Sequence, residues 1–194
     1  MRVIAGRWKG RRLKSPRDIQ VRPTTDRVKE ALFNILGQDI RGCLFLDLCC
    51  GAGGLGVEAL SRGAASVVFV DSSRPALDLV RENLALCGAE ADLARLVRAD
   101  ASDWLQRWNP GLDQDPWVLA ADPPYRSETA GAIMKELKRL ARDPGFRAGV
   151  VEYGSRTPGV VEEGSDGLVW KMRKYGESHL AVARPTPEAP QQGE

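Results

Sequence analysis

A glycine-rich segment between a strand pattern and a helix pattern is the feature that most constrains this chain. Residues 44–48 (LFLDL) form a short apolar run typical of a central parallel strand, and Gly51-x-Gly53-x-x-Gly56 follows it. Asp71 ends the next apolar run, 20 residues after Gly51. Glycines allow a tight turn close to a ligand, and a carboxylate at the next strand end can accept both ribose hydroxyls. The pattern predicts a nucleotide-type cofactor site in an α/β fold.

Strand and helix patterns alternate along most of the chain. Hydrophobic periodicity predicts helices at 26–36, 54–63, 75–87, 101–108 and 127–141, and strands at 44–48, 67–70, 96–97, 117–121 and 150–153. Two last strands are predicted near 168–173 and 179–183, joined only by a turn at Gly176. We therefore predict a doubly wound, mostly parallel, seven-stranded sheet with an antiparallel edge hairpin.

Two further positions bear on the choice of cofactor, because the glycine pattern alone fits either a nicotinamide dinucleotide or S-adenosylmethionine. Asp47 lies in the strand end before the glycines, where a carboxylate favours a cationic ligand over a pyrophosphate. Asp100-Ala101 follows the third strand, where a side chain and a backbone N–H could bind an adenine edge; Asp100 could equally cap the next helix. We predict S-adenosylmethionine, with Asp47, Gly51, Gly53, Gly56, Asp71, Asp100 and Ala101 as the cofactor-binding residues.

The segment Asp122-Pro123-Pro124-Tyr125 directly follows the fourth strand, at the edge where such sheets bind ligands. An exocyclic base amine is a poor nucleophile, because its lone pair is delocalised into the ring. A carboxylate and a carbonyl held by prolines can accept its N–H bonds and stabilise the charge that develops on nitrogen. Tyr125 can stack on a base removed from its helix. Asp122, Pro123 and Tyr125 are the predicted catalytic residues.

The four cysteines do not indicate metal binding or nucleophilic catalysis. Cys43, Cys49, Cys50 and Cys87 have no CxxC spacing, so we expect no metal and interpret them as small buried side chains. A nucleophilic cysteine remains the alternative, with no base nearby in sequence. His179 is the only histidine.

Charge is distributed unevenly. Residues 1–30 carry ten Lys or Arg and three Asp or Glu, a net of +7, whereas the whole chain has +2. A basic arm with apolar and turn residues between its charges suggests a polyanionic partner. We expect an RNA-binding arm (1–25), a catalytic domain (26–183) and a disordered Pro- and Gln-rich tail (184–194).

Location and assembly are less constrained. No apolar run approaches the length of a membrane span, and no signal-peptide pattern occurs. We therefore expect a cytoplasmic protein with no membrane partner. A monomer is expected separately, since the sequence does not fix the oligomeric state.

Several motifs resemble one bacterial family. Residues 22–36 (RPTTDRVKEALFNIL), 58–64 (EALSRGA), 122–125 (DPPY), 174–176 (KYG) and the opening MRVIAGRWKG are similar to the RsmD family, 16S ribosomal RNA (guanine(966)-N(2))-methyltransferases. The resemblance covers residues 1 to about 183. Gly54 departs from the usual pattern and adds flexibility at the helix start.

The resemblance implies a Rossmann-like class I methyltransferase fold with its arm facing RNA. It implies that Gly51, Gly53 and Asp71 bind the cofactor and that Asp122 and Tyr125 hold the base. The expected partner is 16S ribosomal RNA, either free or in a small-subunit assembly intermediate. The predicted RNA-binding residues are Arg2, Arg7, Lys9, Arg11, Arg12, Arg22, Thr25 and Arg27.

Three alternatives stay open at this point. The first is an adenine-N6 methyltransferase on DNA or RNA, which needs similar acceptors for its amine. The second is a nicotinamide-dependent oxidoreductase, which leaves the segment after the fourth strand unexplained. The third is a non-catalytic RNA-binding or assembly factor.

Overall fold

The computed structural model describes residues 1–15, 26–110, 115–124, 128–154, 167–176 and 178–186. Among the predicted site residues, Arg22, Thr25 and Tyr125 lie outside these ranges, and so do residues 187–194 of the predicted tail. None of the helices in the described ranges is long and apolar enough to cross a membrane.

The described residues form the predicted alternation of helices and strands. The helices are α1 (Asp26–Leu36), α2 (Gly54–Arg62), α3 (Arg74–Cys87), α4 (Ala101–Arg107) and α5 (Thr129–Leu140). The strands are β1 (Leu44–Leu48), β2 (Ser66–Asp71), β3 (Ala94–Arg98), β4 (Trp117–Ala121), β5 (Phe146–Tyr153), β6 (Leu168–Tyr175) and β7 (Ser178–Pro185).

The strands form one seven-stranded sheet in the order β3-β2-β1-β4-β5-β7-β6. Strands β1 to β5 pair in parallel, whereas β7 pairs antiparallel with both β5 and β6. This confirms the predicted α/β sheet with an antiparallel hairpin. The returning strand β7 lies inside the hairpin against β5, so β6 is the edge strand.

Several boundaries differ from the prediction, and two of the differences have a structural consequence. Strand β5 begins at Phe146, whereas the predicted strand began at residue 150. Gly145 and Gly149 interrupt the apolar pattern of the sequence, and the predicted strand was therefore too short. A Cβ on Gly149 would lie 2.8 Å from Leu137, so the glycine allows α5 to pack directly on this strand. Strand β7 continues to Pro185, two residues past the predicted domain boundary.

The sheet separates two hydrophobic cores. One core lies under α1, α2 and α3 and includes Phe33, Phe45 and Phe69; the other lies under α4 and α5 and includes Trp117 and Phe146. Alternate residues of each buried strand point to opposite cores, as the two-residue period of a strand requires.

The N-terminal segment is a short hairpin packed on the first core. Backbone N–H groups of Val3 and Leu13 donate to the carbonyls of Arg11 and Met1, at 2.9 and 3.0 Å. Val3 and Leu13 are themselves buried in the core. Residues 1–15 therefore form a hairpin that packs against the first core of the sheet.

A buried carboxylate on α2 fixes this hairpin. The side chain of Glu58 is fully buried and accepts hydrogen bonds from the backbone N–H groups of Ile4 and Ala5, at 2.7 and 2.9 Å. It also pairs with Arg62 at 2.8 Å and with the buried Lys29 at 3.5 Å. Burial lowers the pKa of Lys29, whereas the charge of Glu58 opposes that shift. Each buried charge thus depends on the other for compensation.

We predict that Glu58→Ala lowers the free energy of unfolding by about 3–5 kcal/mol, because it leaves a buried ammonium group uncompensated and two backbone N–H groups unsatisfied. Urea denaturation monitored by circular dichroism measures this loss. The matched control is Glu82→Ala, which removes the exposed ion pair with Lys14 and should cost less than about 1 kcal/mol. Equal losses in the two variants would contradict the anchoring role.

Candidate active site

The glycine segment forms a tight loop between β1 and α2. Cys49, Gly51 and Gly53 all have positive φ, at 55°, 52° and 77°. A Cβ built on Gly51 meets no atom within 4 Å, whereas one on Gly53 would meet Val80 and Phe69 at 3.0–3.1 Å. The loop is therefore open on the side of Gly51 and packed on the side of Gly53.

Asp71 holds the open part of the loop. Its Oδ2 accepts from the backbone N–H of Gly51 at 2.9 Å, and its Oδ1 accepts from the N–H of Ser73 at 2.8 Å. Each carboxylate oxygen can accept a second hydrogen bond, so the side chain retains capacity for a ligand. Asp71 is half-buried beside the loop, at the place where the sequence predicted a ribose acceptor.

Asp47 lies beneath the loop. Its side chain is 1% exposed, and its Oδ2 accepts from the backbone N–H of Gly56 at 2.8 Å. Burial raises the pKa of Asp47 well above its ordinary value, although the bond from Gly56 opposes the shift. A Cβ on Gly56 would lie 2.2 Å from the Phe69 ring, so Gly56 permits the close packing of α2 on β2. Direct contact of Asp47 or Gly56 with a cofactor stays a prediction.

Asp100 begins α4 as a helix cap, which was one of the two predicted roles. Its Oδ1 accepts from the N–H groups of Ser102 and Asp103 at 2.9 and 3.1 Å, and from the Ser102 hydroxyl at 2.6 Å. The bonds from Ser102 and Asp103 lower the pKa of Asp100. The side chain is exposed while Ala101 is buried, and binding of an adenine edge by this pair stays a prediction.

Asp122 follows β4 directly and lies beside the glycine loop. Its backbone N–H donates to the carbonyl of Leu48 at 3.3 Å, which joins the end of β4 to the end of β1. Pro123 is buried and Pro124 is exposed. The predicted stacking residue, Tyr125, lies outside the described residues.

The four aspartates converge at the carboxyl edge of the sheet, as parallel strands require. Cys49 lies close to all four of them. Burial, followed by the charges of these aspartates (Asp71, Asp122, Asp100 and Asp47), raises the pKa of the Cys49 thiol to about 12. No group of His, Cys, Asp and Glu side chains in the described ranges has a geometry suited to a metal ion. The edge therefore favours a cationic ligand and disfavours a pyrophosphate.

The cysteines are unsuited to nucleophilic catalysis. Burial raises the pKa of Cys43 to about 12 and raises those of Cys50 and Cys87. Together with Cys49, these thiols are far from the depressed pKa of a reactive cysteine. This disfavours the alternative of a nucleophilic cysteine.

The basic arm extends away from the aspartates. Helix α2 runs back from the carboxyl edge over about 13 Å, and the backbone N–H groups of Arg7 and Trp8 bind Ser61 near its far end. The described cations predicted to bind RNA are all exposed, although Arg2 pairs with Asp26 and Arg7 lies over the Trp8 ring. They are Arg2, Arg7, Lys9, Arg11, Arg12 and Arg27.

Sequence reasoning missed the residues that join this arm to the loop. Asn83 on α3 is fully buried; its Nδ2 donates to the carbonyls of Ala52 and Lys14, and its Oδ1 accepts from the Lys14 N–H at 2.7 Å. The Met1 sulfur occupies the space that a Cβ on Gly54 would need, 2.3 Å away. Gly54 thus makes room for the Met1 side chain. An isolated Asn within a helix pattern gave no signal for this role.

Comparison with known proteins agrees with this geometry. The family model described as Conserved hypothetical protein 95 matches residues 1–184. The chain belongs to the RsmD family. The resemblance drawn from the sequence motifs is thereby confirmed.

Relatives of this RsmD-family chain match it over much of their length. Ribosomal RNA small subunit methyltransferase D of Escherichia coli (strain K12) is 37% identical over 149 residues, which are 76% of this chain and 70% of the relative. The YlbH protein of Bacillus subtilis (strain 168) is 34% identical over 186 residues, 94% and 97% of the two chains. The solved structure of yhhF from Escherichia coli has a TM-score of 0.70 at 29% identity, covering 95% and 97%.

We predict that Cys49 is alkylated by iodoacetamide at pH 8 at least about a hundredfold more slowly than in the urea-unfolded chain, because its raised pKa leaves little thiolate. Mass spectrometry of timed samples gives the rate at this site. The rate should increase steeply up to and beyond pH 10, and Asp71→Asn should increase it at fixed pH. A flat pH profile would show that access, rather than nearby charge, controls the thiol.

Proposed function

We propose that this protein transfers a methyl group from S-adenosylmethionine to the exocyclic N2 amine of a guanine in small-subunit ribosomal RNA. The observation that carries the proposal is the convergence of Asp71, Asp100 and Asp122 beside the open glycine loop. Family membership and the names of the relatives support the same activity.

S-adenosylmethionine fits the loop on two grounds. It carries an ammonium and a sulfonium, which acidic surroundings stabilise, whereas the pyrophosphate of a nicotinamide dinucleotide would be repelled. The open side of Gly51 leaves room for a ligand next to the carboxylate of Asp71. When bound, the cofactor supplies an electrophilic methyl group. Asp71 would accept the ribose hydroxyls, and Asp100 with Ala101 would bind the adenine edge.

The chain's own contribution to methyl transfer is to orient the amine. Asp122 would accept one N–H of the amine, and the carbonyl of Pro123 would accept the other. The bond from the Asp122 N–H to Leu48 holds this acceptor next to the cofactor loop. The new N–C bond would form as the S–C bond of the sulfonium breaks to leave a neutral thioether. Asp122 would stabilise the positive charge that develops on nitrogen until the amine proton leaves to water. No deprotonating histidine is needed, and Tyr125 would stack on the base.

The positive charge of the arm and the similarity to a named relative both support an RNA substrate. The exposed cations of the arm would contact phosphates. Arg22 and Thr25, which lie outside the described residues, stay predicted RNA-binding residues. A relative 37% identical is named for the small-subunit ribosomal RNA. The cytoplasmic location and the monomeric state stay predictions. The RNA substrate would be either free RNA or RNA in an assembly intermediate.

Nucleoside mapping tests the proposal directly. Ribosomal RNA from cells lacking the protein is incubated with the purified enzyme and labelled S-adenosylmethionine, digested, and analysed by mass spectrometry. The proposal requires N2-methylguanosine in the small-subunit RNA. N6-methyladenosine would instead support the adenine alternative, and binding of the RNA without any methyl transfer would support an assembly factor.

We predict that Asp71→Ala weakens S-adenosylmethionine binding at least about tenfold, because it removes charge-assisted hydrogen bonds to the ribose and the bond that holds Gly51. Isothermal titration calorimetry measures the affinity, with NAD as a ligand that should not bind. Asp103→Ala, which removes an exposed carboxylate in the first turn of α4, is the control and should bind normally. Unchanged affinity in Asp71→Ala would place the ribose elsewhere.

We predict a graded loss at position 122 in single-turnover methylation. Asp122→Ala should lower the rate by about 10²–10³, since the acceptor is lost where charge develops. Asp122→Asn keeps a carbonyl acceptor without the charge and should be intermediate. The control is Asp115→Ala, which removes a carboxylate two residues before the start of β4 and should match the wild type. A wild-type rate in Asp122→Ala, with cofactor binding intact, would refute the mechanism.

A further inference from the structure

Three side chains outside the aspartate site form a row across the last three strands of the sheet. Tyr153 on β5 pairs in register with His179 on β7, and His179 pairs with Lys174 on β6. Residues directly opposite each other in paired strands have side chains on the same face. Tyr153, His179 and Lys174 therefore share one face.

The row lies at the same edge of the sheet as Asp122. In β4 and β5, Ala121 is the register partner of Val151, so Asp122 and Tyr153 both lie just beyond this pair. Neighbouring strands are about 4.8 Å apart, which places β6 about 14 Å from β4, three strands away. A nucleotide held at Asp122 therefore has its neighbours in the RNA within reach of β5, β7 and β6.

Two members of the row offer ring surface to a ligand. The rings of Tyr153 and His179 are 5.4 Å apart and inclined by 38°, and both side chains are half-buried. The Nδ1 atom of His179 is buried with no hydrogen-bond partner among the described residues. A half-buried ring pair can stack on a base through its exposed part.

The edge strand beside the rings is basic. Lys171, Arg173 and Lys174 are exposed on β6, and no carboxylate in the described part of the chain forms an ion pair with any of them. Lys174 shares the face of the rings, whereas Lys171 and Arg173 lie on the other face of this edge strand, opposite Val182 and Leu180. Lysines on an edge strand also prevent sheets from pairing edge to edge, which is the simplest alternative explanation. That alternative accounts for the cations but not for the neighbouring rings.

Electrostatics gives the cations a specific use. The aspartates that favour a cationic cofactor repel the phosphates that accompany any target nucleotide. The arm lies over α2 and α3 on one side of Asp122, and β6 lies on the other side. Cations on β6 would offset the repulsion on the side that the arm does not reach.

We propose that the ring pair Tyr153–His179 and the cations on both faces of edge strand β6, Lys171, Arg173 and Lys174, bind the RNA strand that flanks the target nucleotide; together they are here named the β6 surface. The cations neutralise phosphates, and the ring pair stacks on an unpaired base. This assignment rests on the proposed function, because it takes the polyanion to be the RNA substrate.

The test compares two charge-matched triple variants of the full chain. Lys171→Gln, Arg173→Gln and Lys174→Gln remove the cations of the β6 surface. The control removes three exposed arginines near the amino-terminal ends of the strands, away from Asp122. Its substitutions are Arg107→Gln, Arg142→Gln and Arg147→Gln. Both lower the net charge by three, so a difference between them reports position rather than total charge. Thermal melting should leave both variants near the wild type.

The readout is binding of deproteinised small-subunit RNA across a salt series, together with methylation kinetics. In the β6 triple we expect the dissociation constant to rise at least tenfold and the salt slope to fall by up to about 2, at about 0.7 for each lost phosphate contact. KM for RNA should rise, whereas kcat at saturating RNA and the affinity for S-adenosylmethionine should not change. Equal behaviour of the two triples would overturn the proposal and leave the cations as edge protection.

The ring pair is tested separately. Tyr153→Ala should weaken RNA binding by about tenfold, whereas Tyr153→Phe, which keeps the ring, should bind like the wild type. Equal binding by both variants would remove the stacking role. RNA binding is measured without turnover, so a wild-type enzyme that binds RNA through this surface but methylates nothing would refute the proposed function alone.

Discussion

Two carboxylates from neighbouring strands hold the glycine loop, and the site depends on them. Asp47 binds the N–H of Gly56 from beneath, and Asp71 binds the N–H of Gly51 from the side. One bond fixes the first turn of α2 and the other fixes the open part of the loop. Because both carboxylates come from paired parallel strands, the register of β1 and β2 sets the shape of the loop. A change in that register would alter both bonds together.

The same helix joins the loop to the basic arm. Helix α2 begins at the loop and carries Glu58, which binds the arm backbone and compensates Lys29 in the interior. Asn83 adds a second connection, since one amide group binds both Lys14 of the arm and Ala52 of the loop. The arm is therefore built into the first hydrophobic core. A cation on the arm keeps a defined position relative to the loop because both are fixed to α2 and α3.

Local patterns predicted the elements well where one physical signal dominated. The run 117–121 matched β4 to the residue, because a strand buried on both faces is uniformly apolar. The first half of β5 was not predicted, because Gly149 has a low strand propensity. Its role is to allow α5 to pack closely on the strand. The convergence of the aspartates could be predicted because each lies at or just after the end of a strand, on the carboxyl edge of the sheet; their contact with a ligand stays a prediction. Glu58, Lys29 and Asn83 were not, because their partners are 27 to 69 residues away in sequence.

Charge segregation follows from the separation of these parts. A single basic surface around the loop would attract RNA but would repel a sulfonium, and a wholly acidic one would do the reverse. In this fold the strand ends gather the aspartates at the centre, while the arm and the edge strand β6 carry cations on either side. Screening over about 8–10 Å limits the effect of one region on the other, and β6 lies beyond that distance from β4. The topology of the sheet thus separates an acidic centre from two basic flanks, which is the arrangement that the proposed cationic cofactor and RNA substrate would require.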